Sequence, residues 1–182
     1  FPYTTLFRSN YQGKPRDVMT LARELGHGVH QVLAGPNGAL MAPTPLTLAE
    51  TGHLVFGTLH TRNAPATIDR IIDVFPSDQQ DQIRVLLGNT LEGVVSQQLL
   101  PRLGGGRVAA IEIMVGTPAI KNLIREGKTH QMYSIIETNA SVGMQTLDSS
   151  LAHHYKNGNV SYDEALMRAV DRETFARLAK GM

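Results

Sequence analysis

The sequence predicts an α/β unit followed by a helical appendage, and three observations predict it. Short apolar runs rich in β formers at 53–59 and 107–115 read as strands. Each is followed by a segment of helical period, 64–75 after the first and 117–126 after the second. Beyond residue 117 only helical segments remain, which places the appendage at the carboxyl end. The 182 residues fit one domain, or one and a part, and carry 17 Lys+Arg against 16 Asp+Glu for a net charge of +1. With 42% apolar residues the chain is neither disordered nor collagen-like. The absence of Cys excludes a disulfide scaffold, a thiolate nucleophile and a cysteine-ligated zinc or iron–sulfur site. The near-neutral charge gives no argument for a nucleic-acid or anionic-membrane partner. No run reaches the ~20 apolar residues that span a bilayer, and no signal peptide is visible.

Residues 1–9, FPYTTLFRS, back-translate to a string that resembles a short-read library adapter read as codons. They are set apart as a sequencing artefact, with the true upstream sequence expected to be missing. Residues 10–45 stay unassigned, an out-of-frame or chimeric origin included. Pro15 opens a candidate helix over 15–34, weakened by Gly26 and Gly28 by about 1 kcal/mol each. His27 and His30 have no third ligand and read as surface histidines.

From residue 46 the pattern is orderly. Residues 46–50 read as a helix end capped by Gly52. The 53–59 strand leads into the 64–75 helix, whose core face is Ile68, Ile71, Ile72 and Phe75 and whose polar face holds Asp69, Arg70 and Asp73. A long helix is expected over 78–100, with Ile83, Leu87, Leu91, Val94 and Leu99 on its stripe. Gly104 to Gly106 turn the chain into the 107–115 strand, and Pro118 starts the next helix. Further helices are expected over 130–137, 144–156, 161–170 and 174–179, with Ser161 and Glu164 as a capping box.

The strongest local feature is TGHLVFGTLHT, residues 51–61. His53 stands at the start of the predicted strand and His60 at its carboxyl end, where ligands of open α/β sheets sit. A histidine there can donate to a phosphate oxygen. It can equally cap a loop with no ligand. On the 117–126 helix, Lys121, Asn122, Arg125 and Glu126 share the face opposite Ile120, Leu123 and Ile124, and alone read as a solvated face. Arg70 reads the same way, with a subunit-interface role as the sharper alternative. No metal site is expected, and Met144 is read as core filler.

Six segments in order carry a resemblance: TGHLVFGTLHT, TIDRIIDVFP, SQQLLPR, GRVAAIEIM, TPAIKNLIREGK and GMQTLD. Together they resemble the type IV pilus retraction ATPases, the PilT-like members of the secretion ATPase superfamily, over residues 46–170, about two thirds of the chain. The resemblance implies the C-terminal part of a RecA-like P-loop ATPase domain at 46–116 and a helical C-terminal subdomain at 117–182. It implies a homohexameric motor that uses ATP and Mg²⁺ to drive pilus disassembly and twitching motility. It places that motor in the cytoplasm, at the inner face of the membrane against the pilus platform protein. Neither membrane insertion nor a nucleic-acid partner is implied. It puts His60 on the γ-phosphate side of the nucleotide, as a catalytic and binding residue, and His53 near the subunit interface. It makes Ala119, Ile120, Lys121, Asn122, Leu123, Ile124, Arg125 and Glu126 the retraction motif AIRNLIRE. Lys121 there replaces Arg, keeping the charge and losing the five-donor fork.

The family's hydrolytic parts are not found. The only GK[ST] is Gly127-Lys128-Thr129, and Asn122 stands where a phosphate loop needs Gly. Counted back from His53, the acidic pair of the Walker B segment falls on Gly35 and Gly38. The chain as written is therefore not expected to hydrolyse ATP or hold it productively. The lack of Cys favours retraction over extension ATPases, which carry a tetracysteine zinc site. The alternative function is a non-hydrolysing binding module, or a PilU-like accessory subunit, that modulates a motor hexamer. Strands 54–59 and 108–115 are expected to lack neighbours, which would make the chain poorly soluble.

Overall fold

A computed structural model describes residues 3–7 and 43–181. The candidate helix at 15–34, His27, His30, Gly35 and Gly38 lie outside the described residues. The chain runs β1 (Tyr3–Phe7), α1 (Pro43–Glu50), β2 (Phe56–Leu59), α2 (Ala64–Ile72), α3 (Gln80–Thr90), β3 (Gly93–Pro101), β4 (Arg107–Val115) and α4 (Pro118–Arg125). The appendage adds α5 (Met132–Thr138), α6 (Leu147–Lys156), α7 (Tyr162–Arg168) and α8 (Arg172–Lys180).

Local chemistry sets most of these limits. Gly52, at φ 94°, ends α1, and the His53 amide returns to the Leu48 carbonyl at 3.0 Å. That bond commits His53 to the helix end, so β2 begins only at Phe56 rather than at 53. Asn63 caps α2 by accepting from the Ala66 amide at 2.9 Å, with Pro65 in the first turn. Thr117 and Ser161 cap α4 and α7 in the same way. The helix expected from 144 starts instead at Leu147, because Gln145 pairs with Ile113 as an isolated bridge and Thr146 is the cap.

The long helix expected over 78–100 is corrected. It ends at Thr90, Leu91 turns to extended backbone, and Gly93–Pro101 is a strand. Residues 94–100 obey period two as well as period 3.6: Val94, Ser96 and Leu100 face inward, while Leu99 is 40% exposed. Adjacent β-branched Val94 and Val95 favour the pleated form, and β4 supplies the partner that decides it.

The sheet order is β2-β1-β3-β4. β1 meets both β2 and β3 antiparallel, so β2 and β3 run in the same direction with one strand between them. β3 and β4 form a hairpin in register from Gly93↔Val115 to Pro101↔Arg107, turned by Gly104, Gly105 and Gly106 at positive φ. Strands 54–59 and 108–115 are thus not left alone, contrary to expectation. Backbone amides of β2 are paired by residues 3–7, and those of β4 by the segment read as helix.

Two cores share the sheet. One joins Ile68 and Ile72 of α2, Leu87 of α3, Met114 of β4, Ile120 and Ile124 of α4, and Met132 and Ile136 of α5. The other joins Leu100 and Ala110 to Leu151, Val160, Ala165 and Phe175 of the appendage. Gly116 closes the first core at the sheet edge, donating to the Glu92 carbonyl at 2.8 Å. A Cβ there would meet the Leu91 carbonyl oxygen well inside van der Waals contact. Gly116→Ala is therefore expected to cost about 1–3 kcal/mol of stability in urea denaturation; an unchanged midpoint would show that this crossing is slack.

Candidate functional site

The loop after β2 carries the strongest sequence candidate. His60 is exposed directly beyond Leu59, and the three residues that follow are strapped from several sides. Thr61 is buried, with its hydroxyl 2.7 Å from that of Thr67. The Thr67 hydroxyl also donates to the Asn63 carbonyl at 2.9 Å, and the Ser96 hydroxyl donates to the Arg62 carbonyl at 3.5 Å. His60 is thus presented on a loop whose neighbours are fixed to α2 and β3.

His53 sits at the other end of β2, exposed, with Nδ1 3.1 Å from the Thr51 hydroxyl. A strand separates the two histidines, so they do not form one site. Arg70 is exposed in the last turn of α2 and makes no hydrogen bond or ion pair among the described residues. Gly127-Lys128-Thr129 follows a helix rather than a strand. Lys128 pairs with Glu126 at 2.8 Å, and the Thr129 hydroxyl donates to Asp69 at 3.2 Å. Among the described residues no group of three His, Asp or Glu side chains is placed to hold a metal ion, so they do not fit a resident Mg²⁺.

Helix α4 carries the 119–126 segment and is bound to α3 by its polar residues. Ile120 and Ile124 are buried, and Leu123 is half-buried. Lys121 Nζ lies 3.2 Å from Glu92 Oε1. Arg125 donates to Asn89 at 2.8 Å and to Asn122 at 2.7 Å. Gly88 permits the approach, since a Cβ there would lie 3.0 Å from both the Lys121 carbonyl and Arg125 Cγ. The expected solvated face is therefore partly a clamp. Ala119, Asn122 and Glu126 remain on the outer surface.

Two buried carboxylates were not singled out from sequence. Glu112 lies inward on β4 between Ala110 and Met114 and accepts from the Ala64 amide, the first of α2, at 2.6 Å. Burial is the main cause pushing its pKa up to about 6. The Ala64 and Leu147 amides oppose that rise, and nearby Asp148 adds to it. Asp148 is also fully buried; it accepts from Tyr133 at 2.7 Å, from the Val170 amide at 2.8 Å and from the Asp171 amide at 3.0 Å. Burial, then the bond to Asp148, raises the Tyr133 pKa. The available signal was period two on β4, which puts Glu112 on the same face as Ala110 and Met114.

Residues 42–105 match the family model described as type II/IV secretion system protein, a span that includes the His60 loop, α2 and most of β3. The chain is 55% identical over 130 residues to the type IV pilus retraction ATPase PilT of Pseudomonas aeruginosa, covering 71% of this chain and 38% of that protein. The crystal structure of the pilus retraction motor PilT with bound ADP superposes with a TM-score of 0.68 at 44% identity, covering 78% of this chain and 39% of that one. The chain is a homologue of the PilT-like type IV pilus retraction ATPases. It shares the RecA-like fold of those ATPases, in its C-terminal portion. It is also 40% identical over 125 residues to the type IV pilus ATPase PilU of the same organism, covering 68% of this chain and 33% of PilU. The chain spans less than two fifths of the length of the curated relatives it matches.

Glu112 sets a pH dependence. Its folded pKa lies above the ordinary 4.5, so its contribution to stability is fully present below 4.5 and is lost as pH rises through about 6. Wild type is expected to gain about 2 kcal/mol between pH 7 and pH 4.5 relative to Glu112→Gln. Parallel pH–stability profiles for the two proteins would refute this assignment.

Proposed function

We propose that this chain supplies part of a hexameric ATPase motor that powers type IV pilus retraction, coupling ATP hydrolysis to pilus disassembly at the inner face of the membrane. The observation that carries the reading is the 55% identity to a retraction ATPase, beside 40% to PilU. The fold match to a retraction motor with bound ADP supports nucleotide use by the whole assembly.

In this reading His60 is the phosphate-side residue, since it stands at the carboxyl end of β2 on a strapped loop. His53 and Arg70 are subunit contacts; both are exposed, and each lies on a different element. Residues 119–126 transmit the nucleotide state, with Lys121 and Arg125 gripping Glu92 and Asn89 at the start of β3. A homohexamer and a pilus platform protein are the partners. Hydrolysis belongs to the assembled motor, because this sequence has no phosphate loop with its Lys. That same lack supports the second reading, a non-hydrolysing subunit that modulates a hexamer.

A chimera decides between them. Residues 46–182 replace the matching segment of the P. aeruginosa retraction ATPase in a strain lacking it, and twitching zones are measured. Motility is expected to return, and His60→Ala or Arg125→Ala within the chimera is expected to abolish it while hexamers still form. A hexameric chimera without motility would overturn the retraction reading. Inhibition of a wild-type strain by the unfused chain would favour the modulating subunit.

A further inference from the structure

Beyond the ends of β2 and β3 lies a cleft of about 860 Å³ that the sequence candidates do not account for. Its walls come from distant parts of the chain. Arg62 belongs to the loop after β2, Gln98 and Leu99 to the end of β3, Arg107 to the start of β4, and Met167 and Arg168 to the end of α7. Because β2 and β3 run in the same direction, the cleft opens at the carboxyl ends of both, where α/β sheets hold ligands.

Three guanidinium groups converge there, and no carboxylate lines the cleft among the described residues. Arg168 is partnered by Glu164 at 3.3 Å. Arg62 and Arg107 make no ion pair among the described residues, so their positive charge is uncompensated by the protein. Gathering such charges costs energy unless an anion shares the space. Their backbones are held in place: the Arg62 carbonyl accepts from Ser96, and Arg107 pairs with Pro101 in the hairpin. The opposite wall is apolar and exposed, Met167 at 67% and Leu99 at 40%. Cationic forks facing an exposed thioether and a leucine suit a phosphate joined to a flat ring. The volume falls within the range of small-molecule sites.

We propose that this cleft binds a nucleoside diphosphate, with its phosphates on Arg62 and Arg107 and its ring against Leu99 and Met167. Phosphate is then held by arginine forks and needs no glycine loop. The choice of nucleotide rests on the motor reading, whereas the choice of a phosphate rests on the charges alone. An acidic peptide is the competing occupant; the enclosed volume and the strand-end position favour the small ligand.

Isothermal titration of the full 182-residue chain with ADP tests the proposal, with folding verified by circular dichroism. Saturable binding is expected, weakened about tenfold or more by Arg62→Ala and by Arg107→Ala. Arg107→Lys should recover it only in part, because charge returns without the fork. Adenosine and pyrophosphate should each bind more weakly than ADP. Both arginines are exposed and lie outside the cores, so the melting temperature should not move. The proposal is overturned if folded wild type shows no saturable binding, or if the double alanine variant binds ADP within twofold of wild type. It is also overturned if a polyglutamate peptide binds in an arginine-dependent way and ADP does not. Arginine-dependent ADP binding beside a chimera that fails to retract pili would remove the motor reading and keep the cleft. A working chimera whose cleft variants bind ADP normally would do the reverse.

Discussion

Everything near the His60 loop depends on one buried carboxylate. Glu112 sits where the two cores meet, with Met114 of the same strand in one and Ala110 in the other. Its register partner across the hairpin is Ser96, between Val94 of the first core and Leu100 of the second. The row is therefore apolar, polar, apolar, and the polar rung is what α2 docks on. Ala64 begins α2, and its amide would be left without an intrahelical acceptor; Glu112 takes it, and the dipole of the helix favours the negative charge. Since Ala64 follows Asn63 and Arg62, the same contact sets where the loop after β2 lands.

The second carboxylate extends this seam into the appendage. Asp148 lies in the first turn of α6, whose Leu147 amide also favours the charged form of Glu112. Asp148 gathers Tyr133 from α5 and the amides of Val170 and Asp171 from the bend between α7 and α8. Neither carboxylate has a buried cation; both are neutralised by amides, a phenol and helix ends, as burial of a charge requires. An apolar residue at either position would leave several amides unpaired at once. The α/β unit and the helices beyond it are joined by polar satisfaction as well as by packing.

Much of this was legible from the chain, and the failures have physical causes. Residues 107–115 read as a strand and 64–75 as a helix because periodicity and caps agreed there. Residues 94–100 satisfied both periods, and only the pairing with β4 separates them. The sharing of one sheet by β2 and β3 was invisible, since it depends on β1, a segment set aside on composition. Glu112 was missed because its partner lies 48 residues away. A glutamate in an apolar strand looks like its one polar position until the sheet shows which face it is on. The histidines were located correctly on the strand, but the sequence held no sign that Thr61 and Thr67 lock the loop between them.

The α4 segment shows how a charged face can be both structural and free to act. Lys121 and Arg125 hold Glu92 and Asn89, and these pairs are partly or fully exposed. Exposed pairs are worth at most about 1 kcal/mol each, so they set the resting position of α4 without fixing it. The buried anchors, Ile120 and Ile124, keep the helix on the core whatever its cations do. A partner that offers better acceptors can therefore draw both cations off α3 at small cost, and the residues released, Glu92 and Asn89, flank the turn into β3. Because β3 carries Ser96, which holds the Arg62 carbonyl, a change at α4 has a short covalent route to the loop beside His60. Three residues along one strand separate Gly93 from Ser96, which makes this the stiffest path in the molecule between its two candidate regions.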